Sequence, residues 1–214
     1  MRPFASALDH LLIGAPTLEE GVAWLEERTC VRAVKGGAHP GLGTWNALAS
    51  LGPAQYVEII APDPGQPGVD TFYVPGLREF KEPRIATWAA RTDEPTSRFT
   101  KALPHGFVCE PPRRGSRVRP DGTRLAWSLA FPRHAARGNF EGALPFFIEW
   151  EAGSPHPGVS APSGLRLLSM SIGHPSHAEL NEALRSLGLE DVAREEGTPS
   201  IRVELDTPRG VVIL

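Results

Sequence analysis

Two ionisable residues interrupt apolar, strand-like runs in the first third of the chain: His10 in Leu8-Asp9-His10-Leu11-Leu12-Ile13, and Glu58 in Tyr56-Val57-Glu58-Ile59-Ile60. Strand side chains alternate between faces, so His10 shares one with Leu8 and Leu12, and Glu58 shares one with Tyr56 and Ile60. A charged group on an inner sheet face needs a partner or a metal to offset its desolvation. Each has an ordinary alternative when taken singly: a core imidazole bonded to the backbone for His10, a solvent-facing carboxylate for Glu58. Glu149, in Phe147-Ile148-Glu149-Trp150, places a carboxylate at the matched point of a later segment, and the three together argue for a shared site. His39 sits in a glycine-rich stretch before Pro40. It is either a ligand or general base near neutral pH, or a turn histidine. Asn46 and Trp150 are candidates to orient substrate or line a pocket, with strand packing as the plainer role.

The elements that must position these residues recur in a fixed order. Residues 8–14 read as a strand, and Thr17, with Glu20 three residues on, forms the capping box of a helix whose buried face is Val22, Trp24 and Leu25. Glycine-rich turns at Gly36-Gly37 and 41–43 then lead to strands at 44–51 and 55–61, joined by Gly52-Pro53. The order returns with a strand at 85–91, a short helix opening at Glu94-Pro95-Thr96-Ser97 and ending near Leu103, and strands at 122–131 and 144–151. In this repeat, Tyr56-Val57-Glu58-Ile59 parallels Phe147-Ile148-Glu149-Trp150. A third block has a strand at 165–172, a helix ending before Gly188, and a hairpin of 200–205 with 211–214 about Pro208-Arg209-Gly210. One domain spanning 1–214 is expected, with modules at about 5–64, 84–152 and 164–214 and no linker long enough to separate them.

Composition bounds the partners. The 214 residues are 41% hydrophobic and 22% charged with a formal net charge of −3, ordinary globular material without the sustained basic stripe that phosphate backbones demand. Arg113, Arg114, Arg117 and Arg119 form the one basic cluster, read as a solvated loop. Two cysteines, Cys30 and Cys109, are too few for a disulfide framework and suit a reducing compartment. With no leader-like start and no long apolar run, the expectation is a cytoplasmic protein that binds neither nucleic acid nor membrane.

Leu8-Asp9-His10, Gly36-Gly37 with His39-Pro40, Gly43-Thr44 with Asn46-Ala47-Leu48, and Tyr56-Val57-Glu58-Ile59-Ile60-Ala61 with Asp63-Pro64 resemble the glyoxalase-like proteins of the vicinal oxygen chelate superfamily. Pro145-Phe146-Phe147-Ile148-Glu149-Trp150, His156-Pro157 and Thr207-Pro208-Arg209-Gly210 extend the resemblance over nearly the whole chain. It implies an α+β fold in which repeated βαβββ modules form a cupped mixed sheet, here with an additional C-terminal βαββ unit. In metal-dependent relatives the ligands come from the first and last strands of each module. By position that implies His10, Glu58 and Glu149 as metal ligands, with Thr87 where a second histidine would stand. A divalent ion (Zn, Mn, Ni or Mg) is the cofactor so implied, and none is the alternative.

The resemblance implies lyase or isomerase chemistry on a small molecule with adjacent oxygens, Glu149 or His39 carrying a proton and Asn46, Thr87 and Trp150 contacting substrate. The competing reading is a non-catalytic protein that sequesters a small molecule. A homodimer is expected from exposed sheet edges.

Overall fold

The computed structural model describes residues 7–71, 74–92, 103, 105–119, 122–189 and 193–214. Its first unit follows the expected order: strand β1 (Leu8–Gly14), helix α1 (Leu18–Thr29), then β2 (Val34–His39), β3 (Thr44–Gly52) and β4 (Gln55–Pro62). Thr17 caps α1 by accepting the Glu20 amide at 3.2 Å. Its own hydroxyl donates to Glu20 Oε2 at 2.7 Å, so the glutamate holds the cap side chain. Leu18, Val22 and Leu25 of the helix pack with Ala49, Val57 and Ile59 on the outer face of the sheet. Gly21 permits that approach, since a Cβ there would lie 2.4 Å from Ile59 Cγ2.

The second unit supplies β5 (Arg84–Arg91), β7 (Arg113–Val118), β8 (Arg124–Ala130) and β10 (Phe146–Trp150), with β6 (Phe107–Cys109) and β9 (Pro132–His134) paired as a separate ribbon. The helix expected from Glu94 to Leu103 lies almost wholly outside the described residues. The eight strands run in the order β2-β3-β4-β1-β5-β10-β8-β7. This is two four-stranded halves related about the antiparallel β1–β5 pair, with β1 parallel to β4 and β5 parallel to β10. The sheet curls until its two edge strands nearly meet, where the Arg117 guanidinium of β7 donates to the Gly36 carbonyl of β2. Both edge strands depart from expectation: residues read as a glycine turn and as a basic loop pair as strands with β3 and β8. Short polar edge segments lack the apolar alternation by which strands are recognised.

The C-terminal unit comprises β11 (Arg166–Gly173), helix α2 (His177–Ser186), β12 (Ala193–Glu195), β13 (Ser200–Thr207) and β14 (Gly210–Ile213). It carries one strand more than the expected βαββ. Its order, β12-β11-β13-β14, sets β12 parallel beside β11, whereas β2 of the first unit lies three places from β1. It is therefore not a third copy of the module. Leu180, Ala183 and Leu184 of α2 join Ile172, Val203 and Leu205 in the same buried cluster as the face of α1, so one apolar core runs beneath the outer side of the cup.

Candidate functional site

The concave face of the sheet is walled by Tyr56, Trp127, Leu129, Phe146, Ile148 and Trp150 around a cavity of about 40 Å³ that also exposes His10, His39, Asn46, Glu58 and Arg117. A β-bulge explains how two neighbouring polar residues serve it. Leu8 pairs with Ala90 and His10 with Ala89, so Asp9 is the extra residue. The bulge breaks strict alternation and brings Asp9 into contact with the His10 ring rather than across the sheet from it. It also separates His10 from Leu8, which packs in the outer core while Leu12 stays on the cup side.

From this bulge a chain of buried hydrogen bonds crosses the cup floor. His10 Nδ1 donates to Asp9 Oδ1 at 2.9 Å, and its Nε2 lies 3.2 Å from Glu58 Oε2. Asn46 Nδ2 donates to Glu58 Oε1 at 2.6 Å and lies 3.1 Å from His39 Nε2. An amide nitrogen only donates, so His39 Nε2 carries a lone pair and its Nδ1 proton goes to Thr44 Oγ1 at 2.9 Å. Both Asn46 N–H groups are thereby engaged while its carbonyl oxygen, buried beside Gly36, has no hydrogen-bond partner among the described residues. Behind His10, the fully buried Asp9 accepts through Oδ2 from Arg91 Nε at 3.0 Å and Trp150 Nε1 at 3.1 Å, with His156 Nε2 at 3.3 Å.

These surroundings drive the two imidazoles apart. Burial opposes a charge on His10, but its bonds to Asp9 and Glu58 outweigh burial and raise its pKa to about 9. Burial likewise opposes ionisation of Glu58, yet the His10 bond and charge, helped by His39 and Asn46, bring it down to about 2. His39 goes the other way: burial lowers its pKa, Glu58 only partly compensates, and Arg117 and His10 push it down further. At neutral pH one carboxylate therefore lies between a protonated and a neutral imidazole. The Tyr56 ring stacks on His10 at 4.5 Å between centroids, and Phe146 meets it edge-on at 5.6 Å, so the imidazole is packed between aromatic rings.

Of the residues singled out from sequence, His10, His39, Asn46, Glu58 and Trp150 converge here. Two do not. In β10 it is Phe146, Ile148 and Trp150 that line the cup, so Glu149 shares the opposite face with Phe147. Matching Tyr56-Val57-Glu58 to Phe147-Ile148-Glu149 is one residue out of step, and such a slip exchanges the faces of every side chain. Thr87 is buried and donates to the Gly142 carbonyl at 2.9 Å, beside a different cavity. Of the three metal ligands implied by resemblance, His10 and Glu58 are brought together and Glu149 is not. His10 and Glu58 contact each other directly, while β10 offers Phe146 and Ile148 and the Thr87 hydroxyl is already bonded. Among the described residues no three His, Cys, Asp or Glu side chains are arranged to hold a metal ion. The donor set does not fit a centre built on His10, Glu58 and Glu149.

Reading by sequence missed Asp9 and Arg117. Strict alternation would turn Asp9 away from His10, and nothing in the local sequence marks the bulge. Arg117 lay among solvated arginines, yet it is only 9% exposed and reaches the cavity.

A family model described as glyoxalase-like domain matches residues 8–188. The chain belongs to that family. A hypothetical protein from Staphylococcus aureus is similar in structure at 13% identity and a TM-score of 0.66, over 96% of this chain and 83% of that one. Methylmalonyl-CoA epimerase from Mycobacterium tuberculosis is 16% identical over 75% of this chain and 95% of its own, with a TM-score of 0.42, too loose a superposition to bear on function. No curated protein matches in sequence.

Proposed function

We propose that this glyoxalase-like protein is a proton-transfer enzyme of the isomerase or lyase type, acting on a small molecule with oxygens on adjacent carbons. One observation carries the reading: two buried imidazoles flank Glu58, one held charged and the other neutral, which is how an enzyme separates an acid from a base at a single pH. His39 Nε2 takes the proton from carbon next to a carbonyl, the substrate displacing the Asn46 N–H that now occupies that lone pair. The electron pair left on carbon moves to the carbonyl oxygen, where the freed Asn46 N–H and the His10 Nε2–H, turned from Glu58 to the substrate oxygen, donate to the developing enolate. Returning the proton to carbon gives isomerisation; expelling a group from the next carbon gives elimination. Glu58 keeps His10 charged, and Asp9 fixes its ring from behind.

The assay is exchange of substrate C–H for deuterium in D2O, followed by NMR across hydroxyacetone, dihydroxyacetone, pyruvate and lactate, which detects proton abstraction whatever the product. Exchange in the wild type that is lost in His39→Gln and in His10→Gln supports the reading. Full exchange in a folded His39→Gln variant would refute the assigned base. Stoichiometric divalent metal that disappears in the His10→Ala/Glu58→Ala double variant would replace it with metal-assisted chemistry.

A second reading rests on a larger cavity of about 630 Å³ lined by Val74, Phe80, Thr87, Phe131, Arg133 and Leu144, a size suited to a drug-like ligand. There the protein would bind without turnover, and occupancy by an aromatic ligand with no exchange in any substrate would favour it.

A further inference from the structure

The cup contains one cation that its own hydrogen bonding leaves over. Arg117 projects from β7 across the seam between the two sheet edges, and among the described residues its guanidinium makes one hydrogen bond, to the Gly36 carbonyl. Its side chain is nine-tenths buried, lines the cavity, and has no carboxylate within ion-pair distance among the described residues. The other charges in and behind the cup cancel: His10 pairs with Glu58, and Asp9 pairs with Arg91 at 2.9 Å. Among the described residues one positive charge is thus left over, attracted by Glu58 only from beyond ion-pair distance, and a buried charge so weakly compensated favours an anionic partner. Gly36 makes room for the guanidinium, while Gly37 stands at ordinary contact distance. A Cβ on Gly36 would stand 3.3 Å from one guanidinium nitrogen, and one on Gly37 would lie 3.6 Å from the other.

We propose that Arg117 is the carboxylate anchor of this site, so that the molecule it takes is a small 2-oxo or 2-hydroxy acid. This deepens the proton-transfer reading and rests on it. A planar guanidinium presents a fork of N–H donors matched to a carboxylate, which fixes orientation as well as charge. Seating the carboxylate on Arg117 turns the adjacent carbon and its oxygen toward the Asn46, Glu58 and His39 side of the cup. The small cavity, about 40 Å³, suits a short guest rather than an extended one.

The test is calorimetric titration of pyruvate, lactate and the neutral hydroxyacetone into wild type, Arg117→Gln and Arg117→Lys. In the wild type the acids should bind at least about tenfold more tightly than hydroxyacetone. Arg117→Gln should erase that preference, and Arg117→Lys should retain part of it, because lysine keeps the charge and loses the fork. Circular dichroism and thermal unfolding of both variants establish that the sheet seam is intact, and the lysine variant serves if glutamine does not fold. Equal affinity for acids and ketone in the wild type, no binding of either acid at millimolar concentration, or an undiminished preference in a folded Arg117→Gln would each overturn the anchor. Arg117-dependent acid binding without C–H exchange in any compound would instead refute the proton-transfer reading alone. Exchange of hydroxyacetone with no preference for acids would refute the anchor alone.

Discussion

Replacing His10 with glutamine should flatten the alkaline limb of the protein's stability. In the folded state His10 titrates at about 9 instead of 6.5, because two carboxylates hold its proton against the opposing effect of burial. Between those values the folded protein holds a proton that the unfolded chain has released, so stability falls as pH rises. The contribution is complete below 6.5 and is lost through 9, and the gap corresponds to about 3 kcal/mol. That is a large share of the roughly 5–15 kcal/mol that holds a typical domain folded. Glu58 and Asp9 have lowered pKa values and finish titrating well below this window, while Tyr56, raised by burial, contributes only near and above 10. Cys109, also raised by burial, adds to the loss at the alkaline end and is common to both proteins. His39, lowered by burial and in part by His10, titrates below about 6.5, so the difference between the two proteins above that pH is due chiefly to His10. Urea unfolding at pH 6 and pH 9.5 should show the wild-type midpoint dropping by about 1 M more than that of His10→Gln, at about 3 kcal/mol per molar. Equal drops in the two proteins would show that His10 is not held charged and would remove the acid from the proposed mechanism.

Other consequences follow from the same geometry. Asp9→Asn removes the charge that His10, Arg91 and Trp150 share, and should cost about 3–5 kcal/mol by denaturant unfolding as well as lowering the His10 pKa measured by NMR. Glu149→Gln, on the face away from the cup, should leave exchange activity within about twofold, a ΔΔG‡ under about 0.5 kcal/mol. A large loss would return Glu149 to the site. Gly36→Ala places a Cβ 2.3 Å from Asn46 Oδ1, so the amide bridging Glu58 and His39 must move. Activity should fall by at least about tenfold, or 1.4 kcal/mol, while the fold measured by circular dichroism persists.

Local sequence marked most of the elements because each carries a short-range signal. Apolar runs between glycine and proline breaks placed β1, β3, β4, β5, β8 and β10 within a few residues of their bounds, and Thr17 with Glu20 located the start of α1. His10 and Glu58 stood out for the same reason, as charges inside apolar strands. The residues around them depended on information that no local window holds. Asp9 reaches His10 only through a bulge created by pairing with β5, more than seventy residues away. Arg117 enters the cup only because the eight strands curl until β7 meets β2, turning a basic segment into the inner wall of a seam. Glu149 was misplaced because the face a strand residue occupies is set by register, and neighbouring strands decide register. Residue types therefore determined which groups were available for chemistry, while long-range pairing decided which of them share a cavity. A one-residue change in pairing reverses a face without altering any local pattern.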